Sequence, residues 1–522
     1  MNKTKIRNGR IVSMVLAMVF AAINGAYAYS QGRSLFCAIA LFCIEWLPFW
    51  WIIHRCFIAL IDRSQQELAC PKPTWKRFGL HALGLLVMWL PYMVLCFPGN
   101  INGDTGDAIL HGLGILPNNN NPFFLNWVYA LVYRFGAHFG NAHIGVAAFC
   151  IAQTIGYIAA LSYAILLAEE AGAPKWVSVF LLLLYGLIPV FPASAFCIAK
   201  DSIFGLLLLC FSILLYMQKR YEWFYHHPFW LTVLLAVSAL LPLMRNGAVY
   251  LTALSLLAAL LVCRQRRGKA FLLAAALLSL LTGVVWPSVA QIAKPMTGEF
   301  LSLPLQQTAY YMNHYEATEE EKQTLSEVIP LDSFAKYQEG QADNVKYCFR
   351  ADADMKDVFR YFNVWWKQLL KHPDAYLKAL YLHTNGYYTP SILRNDLKPH
   401  VYLGYGVRNN VFGATKLEPN ENPGLAVVDE IDQAVCEAPV FGLLQRIGIY
   451  VWLLAAAIVY AFYARRPSGI VCYLPMVFVF CACLLSPVNC HIRYAFPLMV
   501  TAPVLCAANL FQKQTPSNQK CH

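Results

Sequence analysis

Long runs of apolar residues alternate with short polar stretches along most of the chain. The runs lie at about 11–29, 34–61, 78–97, 144–168, 176–194, 202–217, 229–244, 248–263, 270–290, 440–463, 469–487 and 492–511. Because a helix needs about 20 apolar residues to cross a bilayer, the pattern predicts about 12 transmembrane helices. The runs are continuous rather than alternating, which argues against a β-barrel. One long polar segment, Gln291–Glu437, shows helical patterns at 318–329 and 358–382 and no clear sheet.

Composition supports this pattern. Hydrophobic residues make up 58% of the 522 residues and charged residues 13%, about half the charge of a typical soluble chain. We therefore expect an all-α polytopic membrane protein in three parts. Residues 1–290 form a membrane domain with an external loop at 97–143, residues 291–437 an extracytoplasmic segment, and residues 438–522 the last membrane helices and a short tail.

The distribution of charge predicts the topology. The net charge is +11, yet the polar segment holds 14 Lys and Arg against 20 Asp and Glu. The basic excess therefore lies on the short loops between the runs, where the positive-inside rule places it in the cytoplasm. Both termini are then cytoplasmic and the polar segment is outside. The sequence has no patch of basic and aromatic residues that would indicate nucleic-acid binding.

Two segments near the membrane allow two interpretations each. Counting 121–139 as a span would move the basic cluster at 264–269 outside, so we interpret it as an interfacial helix, with Trp127, Tyr129, Tyr133 and Arg134 at headgroup level. A thirteenth span is the alternative. The first run ends near Ala26-Tyr27-Ala28, which resembles a signal-peptidase site, and we favour an uncleaved span.

Most of the 17 cysteines lie inside apolar runs and are expected to pack as small hydrophobic residues. Cys348 and Cys436 fall in the polar segment. A disulfide between them is an alternative that an oxidising compartment would permit.

Acidic residues are scarce outside the polar segment. Those near the ends of spans are therefore candidates for a functional or structural role. Asp104 follows a turn rich in Gly and Asn directly after the third run. A partly desolvated carboxylate there suits general-base chemistry on a hydroxyl. Capping of a helix at 105–115 is an equally good interpretation. Asp107 lies one turn later. Its possible roles are a second carboxylate of the site, a metal ligand or a solvated charge. The spacing of these two acids is weak evidence for metal, so a divalent cation stays an open possibility and no cofactor is assigned.

Basic residues at the predicted outer ends of spans also need partners. Lys200 and Asp201 open one span, and Arg245 and Arg493 end or begin others. A phosphate group or Asp104 itself would pair with these cations. The alternative for Lys200 and Asp201 is a local ion pair, or Asp201 capping its helix. Nucleotide-binding and hydrolase motifs are absent from the sequence.

Several motifs together resemble a known family. They are FPGNINGDTGDA, NNNNPFF, CIAKDSIF, LMRNGAVY, LSLPLQQTAYY, GQADNVK, TNGYYTP and SPVNCHIRYAFPLMV. In this order they resemble a largely uncharacterised family of bacterial multi-pass proteins grouped with the GT-C superfamily of polyprenyl-phosphate-sugar-dependent glycosyltransferases. The resemblance runs from about Phe97 to Pro503.

The resemblance implies a GT-C-like fold in the bacterial cytoplasmic membrane with interfacial helices after the first large external loop. It implies an inverting transfer of sugar from a polyprenyl-phosphate donor to a hydroxyl of an envelope glycan, lipid or protein. Asp104 matches the catalytic position. The substrate-binding candidates are Asp107, Lys200, Asp201, Arg245, Asn246, Arg493, Tyr494 and Asn121. Related sequences often carry His where Asn121 stands, so an acid–base role there is lost. Asp343 matches a family position of unknown role.

Two other functions fit the sequence. A transporter or flippase of a lipid-linked glycan would place polar groups at mid-membrane, where Glu45 is the main candidate. The other is a non-catalytic relative that acts as a scaffold.

Overall fold

The part of the chain that the structure describes folds almost entirely into α-helices. The computed structural model describes residues 3–30, 32–65, 74–101, 103–115, 121–290, 297–389, 415, 417, 421–464 and 466–512. The helices before the polar segment are α1 (Lys3–Ser30), α2 (Leu35–Gln65), α3 (Trp75–Leu95), α4 (Gly103–Gly112), α5 (Phe123–His138), α6 (Ala142–Ala171), α7 (Lys175–Leu187), α8 (Val190–Ala195), α9 (Lys200–Arg220), α10 (Pro228–Met244), α11 (Ala248–Val262), α12 (Arg266–Leu280) and α13 (Trp286–Val289).

The remaining helices belong to the polar segment and the C-terminal part. They are α14 (Ser302–His314), α15 (Glu319–Val328), α16 (Asp343–Lys346), α17 (Met355–Lys371), α18 (Pro373–Thr384), α19 (Gly424–Glu437), α20 (Phe441–Gln445), α21 (Ile447–Tyr463), α22 (Leu474–Leu484) and α23 (Ile492–Leu510). Two short strands, β1 (Asn100–Ile101) and β2 (Cys197–Ile198), pair in parallel.

Several helices are long and apolar enough to cross a membrane. Among the described residues seven meet both criteria: Arg10–Ser30, Leu35–Arg63, Trp75–Leu95, Ala142–Ala171, Lys200–Arg220, Arg266–Val289 and Ile492–Leu510. Five shorter apolar helices fall on the other predicted runs: Lys175–Leu187, Pro228–Met244, Ala248–Val262, Ile447–Tyr463 and Ser468–Leu484. The protein is therefore an all-α, multi-pass membrane protein, and twelve crossings stay a prediction.

The hydrophobic core of the helix bundle centres on α6, α9 and α23. In α23, 15 of the side chains are buried, including both prolines within the helix. Lipid cannot reach such a helix, because its neighbours cover it on all sides. The polar segment has cores of its own, in which α14 packs against α17 and α18.

Local boundaries differ from those that the sequence suggests. The predicted helix at 105–115 begins at Gly103 and ends at Gly112, so Asp104 lies inside its first turn. The pattern at 358–382 is two helices, because Pro373 starts a new one after His372. α5 forms as a helix of 16 residues with Trp127 half exposed, but Tyr129, expected at headgroup level, is buried.

Candidate functional site

Two loops that are far apart in sequence meet through the pair of short strands. Asn100 of β1 lies opposite Cys197 of β2, and Ile101 lies opposite Ile198. The Thr105 hydroxyl donates to the carbonyl of Ile198 at 2.5 Å, which adds a side-chain link to the pairing. Because helices α4 and α9 begin just after these strands, their first turns lie side by side.

A close approach of the backbone makes this arrangement possible. Gly99 precedes β1 with a φ of +127°, a region that favours glycine. A Cβ atom there would lie 2.6 Å from the sulfur of Cys150 in α6. On the other loop, Gln153 of α6 donates to the carbonyls of Ala195 and Cys197 at 2.8 and 3.0 Å. Helix α6 thus contacts both loops.

Asp104 and Lys200 form an ion pair at this junction. Lys200 Nζ lies 3.1 Å from Asp104 Oδ2. Asn121 contacts both residues, since its Oδ1 accepts from Lys200 Nζ at 2.8 Å and its Nδ2 donates to the Asp104 carbonyl at 3.3 Å. Asn121 therefore positions the lysine beside Asp104.

Arg493, in the first turn of α23, links this ion pair to a second carboxylate. Its Nη1 lies 3.1 Å from Asp104 Oδ2, and its Nε lies 3.2 Å from Asp201 Oδ2. Arg245, which follows α10, approaches Asp201 Oδ1 at 2.9 Å. Five charged residues from four separate parts of the chain thus form one network, which we call the charge cluster: Asp104, Lys200, Asp201, Arg245 and Arg493.

The charge cluster lies at one end of the helix bundle. Helices α3 and α10 end there, whereas α9 and α23 begin there. Its depth is graded, because 2% of the Asp201 side chain is exposed, against 15% for Arg493 and 35% for Asp104. Three cations face two carboxylates, so the network carries one excess positive charge. Such a site favours an anion at its exposed side.

The polar segment and the loop before α23 are joined beside the charge cluster. Ala342 donates its amide to the Pro487 carbonyl at 2.7 Å, and Asn489 donates its amide to the Gly340 carbonyl at 2.8 Å. The Asn489 side chain donates to Leu382 O at 3.0 Å and to Asn385 Oδ1 at 2.9 Å. The motifs GQADNVK, TNGYYTP and SPVNCHIR therefore meet in one place.

His491 is a neighbour of the charge cluster that the sequence did not single out. Burial, followed by the charge of Arg493, lowers its pKa to about 4, against the opposing carboxylates of Asp201, Asp104 and Asp343. The imidazole is neutral at pH 7 for this reason. Its position in SPVNCHIR, two residues before Arg493, was the available signal.

Tyr347 of the polar segment also lies within electrostatic range of Asp104. Burial, Asp343 and, more weakly, Asp104 raise the pKa of its hydroxyl, although 67% of the residue is exposed. The preceding Lys346 is buried and pairs with Asp343 at 2.7 Å and with Glu299 at 3.0 Å. Lys346 therefore holds two carboxylates next to the exposed ring of Tyr347.

The remaining predicted site residues lie around the charge cluster. Tyr494 accepts a hydrogen bond from Arg493 Nη2 at 3.1 Å, and its ring lies 5.0 Å from that guanidinium. Asp107 is half-buried on α4, where burial lowers the pKa of His111 and Asp107 opposes that shift. Asn246 is exposed in the turn after Arg245. A local Lys200–Asp201 pair does not form, since each residue pairs with a different loop.

The structure also shows whether Cys348 and Cys436 are joined and which residue pairs with Glu45. No disulfide joins Cys348 to Cys436. Glu45 accepts a hydrogen bond from Asn24 at 2.7 Å, as expected of a paired structural residue. Within the described parts of the chain, no group of three His, Cys, Asp or Glu residues could hold a metal ion.

The fold and the charge cluster together define a helical, multi-pass membrane protein with a buried ionic site at one end of its bundle. The chain belongs to a family of unknown function, DUF6020, whose model matches residues 115–522. The matched region contains Lys200, Asp201, Arg245 and Arg493 and begins after Asp104. A search of curated proteins found no match, and neither did a search of the solved structures.

Proposed function

We propose that the protein is a membrane glycosyltransferase of the GT-C type with twelve crossings. It would move a sugar from a polyprenyl-phosphate donor to an envelope hydroxyl on the outer face of the bacterial cytoplasmic membrane. The observation that carries this proposal is the charge cluster, in which a half-exposed acid and three cations meet at one end of the helices. The net positive charge and the depth at the ends of apolar helices suit a lipid-linked phosphate.

Binding of the donor would rearrange the ion pairs. Lys200 and Arg493 both contact the same oxygen of Asp104. A carboxylate held by two cations is a poor proton acceptor. A donor phosphate would take these cations for itself and so release Asp104. Arg493 would remain anchored during this exchange, because Asp201 holds its Nε at 3.2 Å.

Asp104 would then act as the general base. It removes the proton from the acceptor hydroxyl as the hydroxyl oxygen bonds to the anomeric carbon. The bond between that carbon and the phosphate oxygen breaks, and its electron pair leaves with the polyprenyl phosphate. Lys200 and Arg493 stabilise the second negative charge that develops on the phosphate, which is usually the largest electrostatic contribution to such a rate. Attack from the opposite face inverts the anomeric carbon, as the resemblance implies.

The acceptor would approach from the polar segment. Tyr347 is exposed and within electrostatic range of Asp104, and the neighbouring Lys346 pairs with Asp343 and Glu299. Aromatic rings pack against sugar faces, and carboxylates accept hydrogen bonds from hydroxyls. A transporter function has less support, because the charge cluster and Asp343 gather at one end of the bundle.

Glycan profiling of a deletion strain tests this proposal. We expect one sugar to disappear from a surface glycan, lipid or protein. The wild-type gene should restore it, and the Asp104→Asn gene should not. Glu320→Gln, an exposed acid on α15, is the matched control and should restore the sugar fully. An unchanged envelope in the deletion strain, or full rescue by Asp104→Asn, would refute the proposal.

A further inference from the structure

Helix α17 of the polar segment presents three different faces. The first is buried: Val358, Tyr361 and Val364 pack into a core that also contains Leu301 and Leu305. Gln368 completes this face and is fully buried. The cores of the polar segment therefore cover only one side of this helix.

The second face is apolar and exposed. It consists of Met355, Phe359, Phe362, Trp366 and Leu370, whose exposed fractions are 59%, 70%, 36%, 54% and 67%. Their spacing of four, three, four and four residues places them in one stripe along the helix. A stripe of large apolar side chains in contact with water is costly at about 25 cal/mol per Å², so it indicates a surface that something covers.

The third face is basic and runs along the edge of the stripe. Lys356, Arg360, Lys367 and Lys371 lie on one side of the helix, about 100° from the centre of the apolar stripe. Arg360 pairs with Glu327 and Asp357 within the polar segment. The three lysines are exposed. Apolar side chains bordered by lysines are typical of helices that lie in the surface of an anionic membrane.

The position of α17 brings it near the membrane. Only His372 separates it from α18, and His383 near the end of α18 contacts the Ser486 carbonyl at 2.8 Å. Ser486 lies between α22 and α23, at the end of apolar helices. The 12 residues of α18 span roughly 18 Å at 1.5 Å per residue. The C-terminal end of α17 is therefore within about 20 Å of the end of the bundle.

We propose that α17 lies in the membrane surface on the side of the charge cluster. Its apolar stripe inserts at the boundary of the acyl chains, and its lysines contact the phosphates of anionic lipids. The lipid surface fits better than a protein partner, because a membrane protein always has a bilayer beside it and the lysines complement its charge. This inference does not depend on sugar transfer.

Photo-crosslinking of the full-length protein in lipid nanodiscs tests the inference. The photoreactive residue p-benzoylphenylalanine replaces Phe359 or, in a second variant, Trp366. We expect adducts with phosphatidylglycerol on the peptide that contains α17. The same residue in place of Gln323, an exposed position on the acidic helix α15, serves as the control and should give few lipid adducts.

The lysines provide a second measurement. Lys356→Gln, Lys367→Gln and Lys371→Gln together should lower the adduct yield several-fold in phosphatidylglycerol and leave it unchanged in phosphatidylcholine. Lipid adducts at positions 359 and 366 no more frequent than at 323 would overturn the proposal. The proposal would also be overturned if, in native membranes, positions 359 and 366 formed adducts exclusively with another protein.

Discussion

Lys200 Nζ lies 3.1 Å from Asp104 Oδ2, although the two residues are 96 positions apart in the chain. The parallel pair β1 and β2 explains this proximity, since each strand leads directly into the helix that carries one of the two residues. Asn121 then fixes the lysine from a third loop at 2.8 Å. The ion pair therefore depends on three segments of the chain, namely β1, β2 and the loop that carries Asn121.

Loss of the lysine should weaken donor binding. In Lys200→Ala, the phosphate loses one of its cations, and we expect the KM for the donor to rise roughly tenfold, in line with about 1.4 kcal/mol for a charge-assisted contact. Lys200→Arg keeps the charge and should retain most of the affinity. Kinetics with varied donor concentration measure the effect, and an unchanged KM in Lys200→Ala would remove Lys200 from the mechanism.

Asn121→Ala should act through the lysine. The variant removes the acceptor that orients Lys200 Nζ and the donor to the Asp104 carbonyl. We expect a smaller rise in the donor KM than in Lys200→Ala, and little further loss when both substitutions are combined. Such non-additivity is the signature of a positioning residue. Fully additive effects would show that Asn121 acts independently.

Asp201 should matter for stability as well as for the site. It is buried between two arginines, so Asp201→Ala removes the carboxylate that pairs with Arg245 and leaves Arg493 with Asp104. Removal of one partner from a buried pair costs roughly 3–5 kcal/mol in the free energy of unfolding. Unfolding in mixed micelles with increasing sodium dodecyl sulfate measures this cost. The exposed control Glu320→Gln should change it by less than about 0.5 kcal/mol, and an equally small change in Asp201→Ala would contradict the buried network.

Acid should destabilise the protein through His491. Its pKa is about 4 in the folded state and about 6.5 when unfolded, so the unfolded chain binds more protons between these values. The contribution is fully present above pH 6.5 and is lost as the pH falls towards 4, by about 3 kcal/mol in total. His491→Gln should show a shallower fall than the wild type over this window. Identical curves would mean that folding does not lower the pKa of His491.

Asn489 should couple the polar segment to the bundle. Its side chain donates hydrogen bonds to Leu382 and Asn385 and accepts one from the Gly386 amide at 2.9 Å. Asn489→Ala removes all three of these hydrogen bonds. We expect a loss of about 3 kcal/mol, because several buried polar groups are left without partners. Faster proteolysis of residues 297–389 in the variant is the measurement. A proteolysis rate equal to that of the wild type would contradict a joint at this residue.

The sequence predicted the membrane class and the candidate residues better than their contacts. Runs of apolar residues located the helices, because the lipid environment imposes that pattern directly. Asp104, Lys200, Arg245 and Arg493 could be singled out as charges at the ends of apolar runs. Which cation pairs with which acid was not readable, since two-residue strands leave no periodic signal.

Other features depended on tertiary contacts. The neutral state of His491 depends on burial and on the charge of Arg493 in the folded protein. The exposed stripe on α17 could not be separated from an ordinary amphipathic pattern, because burial of its other face depends on α14 and the segment around Leu301.

The most direct test of the central claim is a single-turnover measurement of polyprenyl-phosphate release. The purified protein in nanodiscs would receive lipid-linked sugars and acceptors extracted from the source cells. We expect Asp104→Asn to release polyprenyl phosphate at least ~100-fold more slowly than wild type, the usual contribution of a general base, with Glu320→Gln unaffected. Release by Asp104→Asn at the wild-type rate would contradict the assignment of Asp104 as the base in sugar transfer.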